Sequence, residues 1–340
     1  MSINAVSNNP LPSALPVLCV GEILFDRLAD YPAEDVEAVT SWHCYPGGAP
    51  ANVACALVKL GTASGFLGCI GADEAGEDLK QLLLEIGVDL TGLQVHPTAP
   101  TRVVDVLRNA QGERRFAGFQ GRSTFCFADA FFQGNTIPDR SFQSVEILVT
   151  GTLGLAAPHS AQGIEIAIQR ARIAGAEIVV DVNWRPMFWE NIPLAEAIVS
   201  IRHLLTQAHW LKLTDEEADL LFQSQNLAQI QAHYPALKGI LLTAGAAGCH
   251  YWIHGHQGYV PAFTVDSVDT TGAGDSFLAG FLHQLLTHDR SQPLQNPQHC
   301  HQIVIYASAV GALTTLSPGA IDAQPSDQDV AQFFDNKNLL

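Results

Sequence analysis

Short continuous apolar runs alternate along this chain with segments of helical periodicity. Residues 17–25, 147–152, 178–182, 210–213 and 240–243 are rich in Val, Ile and Leu with little polar interruption. Runs of this kind, separated by helices, read as parallel strands buried on both faces. Residues 52–60, 79–86, 161–174 and 196–207 instead repeat apolar positions at three- and four-residue spacing, which predicts covering helices. The expected fold is α/β, a doubly wound and mainly parallel sheet. One stretch departs from the rhythm: 103–108 and 113–119 flank Asn109-Ala-Gln-Gly and predict a hairpin. With the strand-like stretch 38–45 it would form a small separate sheet, a lid with strands near 38–46 and 101–120. Residues 1–14 are polar and carry prolines, so they read as a flexible arm preceding one domain over 15–340.

The polar residues just past the predicted strands narrow the chemistry. Asp26, Gly151 with Thr152, Asp181 with Asn183 and Arg185, Thr214 to Glu217, and Thr243 with Gly245 follow five runs in succession. In an open α/β sheet ligands bind beyond the carboxyl ends of the strands, so these positions converge on one site. Val268 to Phe277 reads VDTTGAGDSF and leads into apolar residues at helical spacing. A glycine turn opening a helix offers unpartnered amides and the positive end of the dipole to an anion. Asp275 in that turn would repel an anion, unless it takes a proton from whatever attacks a phosphate. Phosphoryl transfer to a hydroxyl is the chemistry this implies, with the helix N-terminus expected to lower the Asp275 pKa. A dinucleotide fingerprint does not fit, because Phe277 holds the third glycine position, and no Gly-Lys pair permits a Walker A loop. A second cluster, GGAPAN over residues 47–52, precedes another helical pattern.

Composition sets the partners. The chain has 340 residues, 47% hydrophobic and 15% charged, with a formal net charge of −17. Such acidity argues against nucleic acid or an anionic membrane as partner. An anionic ligand then needs local amides, arginines or metal ions. Seven scattered cysteines without a CxxC pair suit a reducing compartment. The first fifteen residues carry no Lys or Arg and no sustained apolar stretch, so a cytoplasmic protein is expected. His299-Cys-His301 and His254-Gly-His256 read as solvated loops rather than zinc ligands.

The two glycine clusters, in this order and roughly two hundred and twenty residues apart, resemble the paired signatures of the PfkB family of carbohydrate kinases, the ribokinase-like fold. GEILFD over 21–26, GCIGADEAG over 68–76 and DTTGAGDSF over 269–277 carry the resemblance. It implies that Asp275 is the base, and that the amides of Gly272, Ala273 and Gly274 form an anion hole. Asp26, Gly48 and Asn52 would hold sugar hydroxyls. Thr243 and Gly245 would lie along the phosphates of ATP, with Glu217 ordering Mg²⁺ and Thr214 standing where the family often has Asn. Asp269, Thr271, Ser317 and Gly319 fall where some members bind a monovalent cation, usually K⁺. The segment DVNWRPMFW over 181–189 is similar to the fructokinase branch and would turn Arg185 toward the transferred phosphate. Arg115 in the hairpin is either a sugar contact or a solvated edge. Fructose is the implied substrate, with ribose or 2-keto-3-deoxygluconate as the alternative. A non-catalytic binding member would be the alternative of another class. Family members often dimerise through the lid, where Val103, Val104 and Phe116 would permit it.

Overall fold

The computed structural model describes residues 15–108, 114–120, 122–287, 294 and 296–337. The expected arm over 1–14, the hairpin turn over 109–112 and Glu113 lie outside the described residues. In chain order the strands are β1 (Val17–Val20), β2 (Leu24–Ala29), β3 (Trp42–Gly47), β4 (Ser64–Leu67), β5 (Cys69–Gly71), β6 (Gln94–His96) and β7 (Val103–Arg108). They continue with β8 (Arg114–Gly118), β9 (Ile147–Thr150), β10 (Glu177–Asp181), β11 (Trp210–Thr214), β12 (Gly239–Thr243), β13 (Cys249–Ile253) and β14 (His256–Val260). The helices are α1 (Ala49–Lys59), α2 (Glu74–Ile86), α3 (Pro158–Ile173), α4 (Leu194–Leu205), α5 (Asp215–Phe222), α6 (Leu227–His233), α7 (Ala273–Thr287), α8 (Pro297–Thr314) and α9 (Asp327–Lys337).

Among the described residues the main sheet has eight strands in the order β14-β13-β12-β11-β10-β9-β1-β4. Neighbours from β4 to β12 run parallel, and the β13–β14 hairpin closes one edge antiparallel. Successive residues of a strand point to opposite faces, which explains the unbroken apolar runs. Leu18, Val20, Leu148, Ile178 and Leu211 pack toward Ile164 and Ile168 of α3 and Ile201 of α4. Val17, Cys19, Val149, Val179 and Leu241 pack toward Leu57 of α1, Phe281 of α7 and Val304 of α8. Both faces are thus covered, as a doubly wound sheet requires.

The run 17–25 is not one strand. β1 ends at Val20, the chain turns at Gly21, and β2 leaves the main sheet to join a second one in the order β3-β2-β7-β8. An apolar run cannot report this break, because both halves are buried, one in each sheet. Asp26 therefore lies within a lid strand, paired with Tyr45 and Val104, and not past a strand of the main sheet. The expected strand over 38–45 begins later, at Trp42, after a single 3₁₀ turn over Val36–Ala38. β4 and the β13–β14 hairpin went unpredicted. Val104 is 1% exposed, so of the three residues expected at a lid interface only Val103 and Phe116 keep exposed surface. His299 and Cys300 are not in a solvated loop: both are buried in α8, whereas His254 stands in the turn between β13 and β14.

Candidate active site

The carboxyl ends of the main-sheet strands and the inner face of the lid bound a cleft of about 980 Å³. Its lining brings together Asp26, Gly48 and Asn52 from one side, Thr214, Glu217, Thr243 and Gly245 from the other, and the Thr271–Asp275 turn between them. Asn183 and Arg185 from the loop after β10 also line it. Segments more than two hundred residues apart in sequence therefore face one space.

The turn before α7 is built from backbone constraints. Gly272 has φ +76°, and a Cβ there would lie 2.8 Å from both Cα and Cβ of Ala320. Only glycine fits, so α7 begins at Ala273, whose amide donates to the Thr270 carbonyl at 3.2 Å, and Gly272, Ala273 and Gly274 all line the cleft. Asp269 ties this turn to the neighbouring loop. Its Oδ1 accepts from the Thr271 amide at 3.0 Å and the Thr271 hydroxyl at 2.7 Å, and its Oδ2 from the Gly319 amide at 3.0 Å. Thr271 and Gly319 reach the cleft; Asp269 is buried behind it, and Ser317 is exposed outside it.

Gly48 plays the matching part on the other wall. With φ +106°, a Cβ there would sit 2.5 Å from the Glu22 carbonyl oxygen. The Glu22 side chain reaches across the same turn, and its Oε1 accepts from the Ala49 amide at the start of α1, at 3.1 Å. Burial raises the Glu22 pKa to about 8. One turn into α1, Asn52 donates from Nδ2 to Asp275 Oδ2 at 2.8 Å, joining the two glycine clusters directly.

Asp275 departs from expectation in one respect. The helix N-terminus was expected to lower its pKa, but burial dominates and raises it above the ordinary carboxylate value. The charge of Lys212, the Asn52 hydrogen bond and Arg185 pull the other way, while Asp181 adds to the rise. A raised value suits a base at neutral pH better than the depressed one the dipole alone would give. Arg185 donates to the Trp184 carbonyl at 2.9 Å, and its charge reaches Asp275.

Glu217 carries a structural load. With Thr214 it forms the capping box of α5, Oε2 accepting from the Thr214 amide at 2.8 Å and the Glu217 amide donating to Thr214 Oγ1 at 3.1 Å. Its Oε1 accepts from the Trp184 amide at 2.6 Å, fixing the loop that carries Arg185. Burial raises the Glu217 pKa, as does the nearby Asp181 charge.

Sequence reasoning missed Lys212 and Glu22. Lys212 sits in β11, buried, with Nζ donating to both oxygens of Asp181 at 3.0 and 2.8 Å. Burial presses its pKa down, but Asp181, Asp275 and Glu217 more than offset this and hold it above the ordinary value. The signal was present: a lysine inside an apolar strand run needs a partner. Asp181, expected at the site, lies beneath the cleft as that partner. Gly151 and Thr152 do not reach the lining, and Arg115 donates instead to the Glu34 carbonyl on the exposed side of the lid. The 68–76 segment serves as a brace: Asp73 accepts from the Gly76 amide at 2.9 Å and the Thr101 hydroxyl at 2.6 Å, fastening α2 to the start of β7. Phe116, by contrast, brings an aromatic ring from the lid to the cleft.

Known proteins resemble this chain over nearly its whole length. The chain is 30% identical over 322 residues to fructokinase-1 of Zea mays, covering 94% of this chain and 97% of that one. Its fold matches fructokinase from Xylella fastidiosa with bound ATP at a TM-score of 0.84 and 30% identity, over 95% of this chain and 99% of that one. A fructokinase double mutant from Vibrio cholerae O395, in fructose-, ADP- and potassium-ion-bound form, matches at 0.80 and 28% identity, over 94% and 98%. The family model described as pfkB family carbohydrate kinase matches residues 15–327. That match, together with these relatives, places the chain in the pfkB family: it is a carbohydrate kinase of the ribokinase-like fold.

Proposed function

We propose that this carbohydrate kinase is a fructokinase, transferring the γ-phosphoryl group of ATP to a primary hydroxyl of fructose. The observation that carries the mechanism is the Asp275 carboxylate, seated in the first turn of α7 and joined to Asn52 at 2.8 Å inside the common cleft. Fructose is supported by the relatives, several of which are named fructokinases.

In this reading Asp26, Gly48 and Asn52 hold sugar hydroxyls and present one of them to Asp275. As the hydroxyl oxygen closes on the γ-phosphorus, Asp275 takes its proton. The transferring group is received by the amides of Gly272 and Gly274, and by that of Ala273 when it gives up its bond to the Thr270 carbonyl, with Arg185 facing it from the loop after β10. A loose transition state asks the protein for positioning and fixed charge, and these groups supply both without reorganising. Thr243 and Gly245 border the nucleotide phosphates, with Thr214 and Glu217 alongside. Among the described residues no group of three or more His, Cys, Asp or Glu side chains is disposed to hold a metal. Mg²⁺ is usually held by one or two carboxylates together with phosphates and water. When bound it supplies charge neutralisation at the phosphates, and Glu217 would order its water. K⁺ would sit by the Thr271 and Gly319 loops that Asp269 ties together, with exposed Ser317 contributing its backbone at most.

An ADP-release assay with fructose, ribose, glucose, 2-keto-3-deoxygluconate and adenosine tests the reading. Fructose should give the highest kcat/KM. A preference for another sugar would overturn fructose alone, and silence on all five from folded protein would overturn the proposed reaction.

A further inference from the structure

Arg102 is buried where the root of the lid meets the loop after β10. It stands just before β7, is 4% exposed, and its carbonyl accepts from the Phe25 amide of the neighbouring lid strand at 3.1 Å. Its guanidinium makes a two-pronged pair with Asp129, Nε donating to Oδ2 at 2.7 Å and Nη2 to Oδ1 at 2.9 Å. Nη1 donates to the Thr124 hydroxyl at 3.1 Å, and Nη2 also to the Thr124 carbonyl at 2.8 Å. Packing alone would be served as well by apolar residues of similar volume.

Aromatic rings from three segments gather on the same guanidinium. Its Cζ lies 5.1 Å from the ring centre of Phe119, 4.6 Å from that of Phe127 and 4.8 Å from that of Phe188, within the range at which a cation attracts a ring face. Phe119 follows the lid strand β8, and Phe188 belongs to the loop after β10. These two rings also meet edge to face, 5.3 Å apart. Phe188 is one turn from Arg185: its amide donates to the Arg185 carbonyl at 3.0 Å. On the other side of Arg185, Glu217 holds the Trp184 amide at 2.6 Å. The Arg185 side chain is itself exposed, so its aim depends on these two backbone anchors, one of which ends on Arg102.

We propose that Arg102 is a positioning residue for phosphoryl transfer: by clasping Phe188 of the loop to Phe119 of the lid, it aims Arg185 at the group in transit. This rests on the phosphotransfer reading above and on the place of Arg185 in it. Arg102 does not line the cleft, so it touches neither substrate and acts only through its neighbours. A planar, permanently charged fork suits the task, because its edge pairs with Asp129 while its faces remain free for rings.

The test replaces the pair together, Arg102→Met with Asp129→Asn, so that no unpaired buried charge remains, in wild type and in Arg185→Ala. Steady-state kinetics with ATP and the preferred sugar should show kcat lower by about tenfold in the wild-type background, the scale of a misplacement under 1 Å. Both KM values should stay within about threefold and the thermal transition should remain cooperative. Arg185→Ala should itself lower kcat, and replacing the pair in that background should then change kcat by less than about twofold, because the residue it aims is gone. A merely structural role would lower the melting temperature in both backgrounds and leave the two kinetic effects independent. A folded pair variant with wild-type kcat, or one that loses the same factor in both backgrounds, overturns the inference. If the pair variant does not fold, Phe188→Leu, which keeps the pair but removes the ring beside Arg185, reads the same contrast. A wild type that phosphorylates no sugar would overturn the phosphotransfer reading itself. Normal turnover in Arg185→Ala would overturn the part given to Arg185 and this inference with it, whereas an impaired Arg185→Ala beside an unimpaired pair variant overturns only the role of Arg102.

Discussion

Replacing Gly272 by Ala tests whether the backbone of the α7 turn is a working part of the site. At φ +76° an L-residue is strained, and the left-handed conformation costs roughly 1–2 kcal/mol. The new Cβ would also lie 2.8 Å from Cα and Cβ of Ala320 and 2.9 Å from its carbonyl oxygen. These contacts fall short of ordinary packing by about half an ångström or more, and relief means moving backbone, so the total cost should reach about 2–4 kcal/mol. The turn carries the amides proposed to receive the phosphoryl group, and a misplacement near 1 Å can cost about 10²-fold in rate. A shift of half that size should lower kcat by about tenfold or more. Gly61→Ala is the control, with φ +91° but nothing within 4 Å of the new Cβ and no place in the cleft. It should lose about 1–2 kcal/mol in urea unfolding and keep its kcat. Equal turnover in Gly272→Ala and Gly61→Ala, at similar stability, would refute the claim that the amide geometry matters.

Further expectations concern the groups around that turn. Glu22 holds its proton in the folded state up to about pH 8, against an ordinary value of 4.5; the folded protein binds the extra proton between these limits, so stability should fall as pH rises across that window. Glu22→Gln, which keeps the acceptor for the Ala49 amide, should reduce that slope in urea melts at pH 5 to 8, and an unchanged slope would contradict the assignment. Asn52→Ala removes a hydrogen bond that favours the charged form of Asp275, so the acid limb of the kcat/KM profile should move to higher pH. A bond to a charged acceptor is worth about 1.5–3 kcal/mol, so kcat/KM at neutral pH should drop roughly 10- to 10²-fold. Exchanging K⁺ for Na⁺ in the assay should reduce turnover if the loops joined by Asp269 house the ion, and equal rates in both salts would remove that proposal.

The features readable from sequence were those that backbone geometry forces into particular residue types. Gly48 and Gly272 had to be glycine because a Cβ at either would strike another backbone segment, so both clusters announced themselves. Strand runs such as 178–182 were readable because both faces of a parallel sheet are buried. The same uniformity hid the switch of sheets at Gly21, since β1 and β2 are apolar in different surroundings. Lys212 went unnoticed because its partner Asp181 lies one strand away and thirty-one positions back, and only pairing in the sheet joins them. The Asp275 pKa was misjudged for a related reason. The dipole can be read from the turn, while the burial that outweighs it arises only when segments distant in sequence close around the turn.

In the proposed reaction Asp275 removes the hydroxyl proton as the phosphoryl group transfers. Asp275→Asn keeps the size of the side chain and a polar contact to Asn52 while abolishing the base. Calorimetric binding of sugar and nucleotide, together with turnover, should give Kd values within about threefold of wild type and kcat lower by about 10²- to 10⁴-fold. Near-normal turnover in that variant would show that Asp275 is not the base.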